Sequence, residues 1–98
     1  VTTKDNVLRG KLLDLLRTVY PDGIDQKTLK SALYAYHNID DIVASLEYLT
    51  DAAYCIMKEQ PHPFLKQESI RWYKLTPKGL NLIDGNIEPD PGILIQRG

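Results

Sequence analysis

Residues 38–51 read NIDDIVASLEYLTD, and AAYCIMKE follows at 52–59. In the first part Ile39, Ile42, Val43, Leu46 and Leu49 recur at the i, i+3, i+4, i+7 and i+10 spacing of one helix face. Asn38 stands where an N-cap belongs, and with Asp41 it has the spacing of a capping box, Asp replacing Glu. Asp40 and Asp41 fall in the first turn, where the helix dipole favours negative charge by about 0.3–1 kcal/mol each. In the second part residues 54–56 favour β structure, so the helix is expected to run directly into a strand.

Outward from this unit the chain reads as short, well-punctuated elements. Upstream, DNVLRGKLLDLLRTVY (5–20) places Leu8, Leu12, Leu15, Leu16 and Val19 on one stripe, with Asp5 or Asn6 as cap. YPDG (20–23) stops that helix, and Ile24 is a lone apolar residue suited to a short strand. Asp25 caps a second helix, QKTLKSALYAYH (26–37). Leu29, Ala32, Leu33 and Tyr36 share its inner face, and Lys27, Lys30, Tyr34 and His37 lie towards the other. Downstream, PHPFLKQES is a loop and IRWYKL a second strand, making a hairpin with a long tip. LTPKGLNLIDG follows, with Thr76 as N-cap, Pro77 at the first helical position and Gly85 just past the end. Gly79 lowers helix propensity by about 1 kcal/mol relative to Ala, so close packing is its expected reason. The last residues, NIEPDPGILIQRG, hold two prolines and are expected to be extended.

Composition narrows the function classes. With 98 residues and 43% apolar content, the chain suits one small folded domain and not a disordered segment. The net charge is −1 and the pI about 6.1, unlike the strong positive excess of a non-specific nucleic-acid binder. Charge is unevenly spread. Residues 31–60 carry one Lys and five Asp or Glu, whereas residues 1–30 carry six Lys or Arg and four Asp. No apolar run approaches a bilayer span and no apolar signal segment opens the chain, so the expected location is cytoplasmic, with no membrane partner. Cys55 is the single cysteine, and its apolar neighbours Ala53, Ile56 and Met57 make it a core residue. There is no phosphate-binding glycine loop, no zinc-binding histidine pair and no nucleophile elbow, so neither an enzyme, a metal site nor a cofactor is expected.

The segments LEYLTDAAYCIMKE and RWYKLTPKGLNLIDG resemble the winged helix-turn-helix superfamily of DNA-binding regulators. Tyr73, Leu75, Thr76, Gly79 and Leu82 or Ile83 match its closing Tyr-x-Leu-Thr-x-x-Gly-x-x-Leu pattern, and the likeness covers residues 7–85. The combination VLRGKLLDLL, YPDG and LIDGNIEPDPG is similar to small winged-helix proteins of Mu-like prophages. The fold class so implied is α+β: a three-helix core, a β-hairpin wing and a short fourth helix over residues 1–85, then an extended tail at 86–98. The resemblance also implies a regulator of transcription that binds double-stranded DNA as a homodimer.

Carried onto this chain, the resemblance makes Lys27, Lys30, His37 and the wing residue Lys66 the candidates for phosphate contact. It makes Asp41, Ser45 and Tyr48 the candidates for base reading, on an outer face that also holds Ala44, with Asp40 and Glu47 nearby. Ile93, Leu94 and Ile95 are candidates for a dimer contact, or for packing on the domain's own surface. Trp72 is expected to pack in the hairpin. The third helix departs from the family in lacking any Lys or Arg. Carboxylates repel phosphates, although they can accept from a cytosine amino group. The alternative expectation is therefore a protein–protein module that meets a basic partner through its acidic third helix.

Overall fold

A computed structural model describes residues 3–95. Helix α1 (Thr3–Val19) leads to strand β1 (Gly23–Asp25), helices α2 (Gln26–Leu33) and α3 (Ile39–Asp51), strands β2 (Cys55–Pro61) and β3 (Ser69–Leu75), and helix α4 (Pro77–Asp84). The architecture is α+β, with four helices and one three-stranded antiparallel sheet in the order β1-β3-β2. Strand β3 is central. Ile24 of β1 and Met57 of β2 both lie opposite its Tyr73, and the hairpin register runs from Cys55 opposite Leu75 to Pro61 opposite Ser69.

The core forms where the stripes of α1 and α3 meet the inner face of the sheet. Leu8, Leu12, Leu13 and Leu16 of α1 and Ile42, Leu46 and Leu49 of α3 are wholly inaccessible to solvent. They pack with Leu29 and Leu33 of α2, Cys55, Tyr73 and Leu75 of the sheet, and Leu82 and Ile83 of α4. Each fully buried leucine contributes about 1.5–3 kcal/mol of transfer free energy, so this cluster dominates stability. The stripe of α1 differs in detail from its periodicity. Leu13 is fully buried, whereas Leu15 is only partly covered, because α1 has packing partners on two sides.

The caps follow the local chemistry. Asp25 accepts from the Thr28 amide at 3.0 Å and from its hydroxyl at 2.6 Å. Asn38 accepts from the Asp40 amide at 2.7 Å, one residue nearer than a capping box would place the bond. Thr76 accepts from the Gly79 amide and donates to the Ala53 carbonyl at 2.7 Å, tying the start of α4 to the α3–β2 junction. Gly85 closes α4 with φ 78°. Helix α2 is shorter than its pattern and ends at Leu33. The chain must turn to present Asn38 in the extended conformation that caps α3, so Tyr36 lies exposed in the turn; Ala32, in the last turn of α2, is exposed as well and not on an inner face.

The tail is part of the same packed body. It crosses α1 at Gly10, where a Cβ would collide with the Leu94 carbonyl. The Leu94 amide donates to the Asn6 carbonyl at 3.0 Å, and Arg9 donates to the Gly92 carbonyl at 3.0 Å. Ile93 is 7% exposed and Ile87 and Ile95 pack against the core, so Ile93 and Ile95 are spent within the chain and are not free for a dimer contact. Leu94 alone of the three stays outside, at 44% exposure. No described helix is long and apolar enough to cross a membrane.

Close packing accounts for Gly79. A Cβ there would run into the Tyr54 carbonyl and lie 2.7 Å from Leu75 Cδ1. Gly79→Ala gains about 1 kcal/mol of helix propensity, but overpacking against backbone costs about 1–3 kcal/mol. The expected outcome in urea unfolding is a net loss of stability; a gain would mean that α4 shifts freely on the sheet.

Candidate binding face

The leucines of α1 decide which side of α3 meets solvent. With Ile42, Leu46 and Leu49 turned inward, Ser45 is carried in with them and is 2% exposed. A hydroxyl so enclosed cannot reach a base edge, which corrects its assignment as a reading residue. Tyr48 is partly covered and its hydroxyl donates to Asp90 Oδ1 at 3.0 Å, with the Arg9 guanidinium 3.9 Å over its ring. It is therefore taken up by the tail. Asp41 keeps partial exposure in the first turn.

The exposed residues of α3 are Ile39, Asp40, Ala44, Glu47 and Asp51. None has a side-chain hydrogen-bond donor; the only polar atoms are carboxylate oxygens, which only accept at neutral pH. The part-exposed Thr50 hydroxyl is committed to the Leu46 carbonyl at 2.8 Å. Glu47 and Asp51 sit four residues apart at the end of the helix where its dipole is negative, and the last turn carries no basic residue. Such a like-charge pair costs about 0.2–0.5 kcal/mol, and the dipole opposes it further. Among the described residues neither carboxylate has a cation within ion-pair distance; the one cation capping this end, Lys78, donates to the Ala52 carbonyl instead. Beside them lies a hollow of about 280 Å³ lined by Glu47, Thr50, Asp51, Met57, Arg71 and Tyr73.

A larger groove, of about 630 Å³, runs between the start of α2 and the hairpin. Lys27, Lys30, His62, Leu65, Arg71 and Trp72 line it, with Asp25 and Glu68 as its carboxylates. Asp25 has both oxygens engaged by Thr28. Lys27 and Lys30 make no ion pair among the described residues. The buried indole Nε1 of Trp72 has no acceptor there either. Through Lys27, Lys30 and Arg71 the groove thus presents donors where α3 offers acceptors. His62 Nδ1 accepts from the Phe64 and Leu65 amides at 3.0 and 3.1 Å, which orders the hairpin tip and leaves Phe64 87% exposed. Lys66 is exposed on that tip but does not line the groove.

The structure therefore brings Lys27 and Lys30 together and leaves His37 out. His37 is 7% exposed, because the turn after α2 folds it inward, and it cannot serve as a phosphate ligand. Arg71 is the residue that sequence reasoning missed. It lines both the groove and the acidic hollow, and its Nε lies 3.9 Å from Glu59. Arg71 precedes the buried Tyr73 by two, so both project from one face of β3, Arg71 farther towards the hairpin tip, a relation that shows only once the burial of Tyr73 is known. Cys55 is buried 3.4 Å from the Thr50 hydroxyl, and burial pushes its thiol up, so it is not a reactive thiolate.

Neither family models, curated proteins nor solved structures gave a match to this chain.

Asp90 binds the tail to α3 and to the α3–β2 junction. Its carboxylate accepts from Tyr48, from Tyr54 at 2.9 Å and from the Gly92 amide at 2.7 Å. Desolvation pushes this carboxyl up, but the hydrogen bonds from Gly92, Tyr54 and Tyr48, helped by Arg9, outweigh it and hold the group below its ordinary 3.8. In return the Tyr54 phenol, through burial and then its bond to Asp90, is pushed up to about 12. The folded carboxyl titrates lower than the unfolded one, so its stabilisation is complete above 3.8 and is lost as pH falls through the folded value. Asp90→Ala is expected to cost about 1 kcal/mol at neutral pH and to flatten the acid limb of stability against pH. An unchanged acid limb would show that the Tyr48–Asp90–Tyr54 tie carries no weight.

Proposed function

We propose that this chain is a winged-helix domain whose third helix meets protein instead of reading DNA, and that it acts as a protein–protein interaction module. The element order and the β1-β3-β2 sheet support the winged-helix assignment. The observation that carries the functional reading is the outer face of α3, which offers carboxylate oxygens and apolar groups but no side-chain donor. A helix seated in the major groove needs donors for guanine and for the flanking phosphates. This helix would bring Asp40, Glu47 and Asp51 against them. The same atoms are suited to lysine, arginine and backbone amides of a protein surface, and exposed Ile39 and Met57 supply apolar contact at either end.

One observation favours DNA binding as a second reading. Lys27, Lys30 and Arg71 line a single groove at the start of α2 and the hairpin, the region that touches phosphates in helix-turn-helix complexes.

A salt series with mixed-sequence duplex separates the two. The interaction reading expects no binding whose logarithm falls with the logarithm of salt, even at about 50 mM; a slope of several units would overturn it in favour of DNA. Glu47→Lys with Asp51→Lys tests the reason. If the carboxylates are what bar the duplex, this double variant is expected to gain salt-dependent binding with a slope of about 2, measured by fluorescence anisotropy.

A further inference from the structure

We propose that the partner met by α3 is a second copy of this chain, with Glu47 and Asp51 of each protomer lying against Lys27 and Lys30 of the other around a two-fold axis. This rests on the protein-docking reading of α3 and names its occupant.

The charged surface beside Arg71 is self-complementary. A two-fold interface presents the same patch from both sides, so it closes only if that patch contains its own complement. Here the acidic hollow and the basic groove are neighbours that share Arg71 as a common wall. Turning a second copy by half a revolution sets acid on base twice. Within one protomer the charges do not satisfy each other: among the described residues Glu47, Asp51, Lys27 and Lys30 make no ion pair. Their hydrogen-bonding capacities are also matched, carboxylate acceptors on the helix facing ammonium donors in the groove. Apolar area accompanies both halves. Met57, beside the hollow, is 40% exposed, and Leu65 and Phe64, at the groove and the hairpin tip, are 49% and 87% exposed. Ion pairs at the rim of such a contact direct the encounter and fix its register, while the apolar side chains supply the desolvation that holds it. A basic partner of another kind would satisfy the hollow and leave the groove unmatched; a second copy satisfies both.

The test is sedimentation equilibrium of the whole chain at up to about 100 µM, in about 50 mM and then about 500 mM salt. The expected result is a dimer at low salt, weakened at least tenfold at high salt. Lys27→Glu with Lys30→Glu, and Glu47→Lys with Asp51→Lys, are each expected to be monomeric alone and to pair when mixed in equal amounts. The milder Glu47→Gln with Asp51→Gln weakens the dimer by the same route and guards against misfolding of the charge reversals. A wild-type chain that stays monomeric at low salt overturns the proposal, as does a dimer that none of these pairs affects. Amide-shift mapping with a nine-residue arginine–lysine peptide separates the two failures. A monomer that still takes this peptide on α3 keeps the docking reading and loses only the second copy.

Discussion

Helix α3 can bury only one side, and the leucines of α1 choose it. Leu8, Leu12 and Leu16 hold Ile42, Leu46 and Leu49 wholly out of solvent, and a helix held at three points along one stripe cannot roll. Every other property of the candidate face follows from that rotation. Ser45 goes inside and Tyr48 turns towards the tail; Glu47 and Asp51 face out beside the hairpin. A roll of one residue spacing, about 100°, would exchange these sets, but it would also bring leucine into water at about 1.5–3 kcal/mol apiece.

The tail completes the arrangement. In a chain of this size the core has little surplus, and a strap that buries Ile93 and covers Ile87 and Ile95 adds usefully to it. Asp90 directs the strap by receiving the hydroxyls of Tyr48 and Tyr54 from the body of the fold and the amide of Gly92 from the strap itself. The strap has a functional consequence as well. It engages the Tyr48 hydroxyl and the Arg9 guanidinium that lies over the Tyr48 ring, and leaves the outer face to carboxylates.

The order of elements and the caps of α2, α3 and α4 were legible in the sequence, because each depends on neighbours within a few positions; the expected caps Asp5 and Asn6 instead lie within α1, which starts at Thr3. Gly79 signalled close packing by its low helix propensity, but not its distant partner Tyr54. Asp25, Asn38, Thr76 and Gly85 all act where local chemistry places them. What was not legible depended on long-range packing. Ser45 is small and polar and reads as a surface residue; only the packed fold makes it a buried one. Tyr48 reads as exposed because its partner, Asp90, lies 42 positions away. His37 continues the apparent outer face of α2, but the helix stops four residues before it. Arg71 required knowing that β3 is the central strand, so that one side chain can border both α2 and α3.

The central claim is that the outward face of α3 is built for protein and not for a nucleic-acid groove. Its most direct test is residue-resolved: amide chemical shifts followed while the chain is titrated with duplex DNA at low salt. The amides from Asp40 to Asp51 are expected to stay in place, any movement being confined to the Lys27–Lys30 region. Concerted shifts along α3 on addition of duplex, saturating with a single affinity, would contradict it.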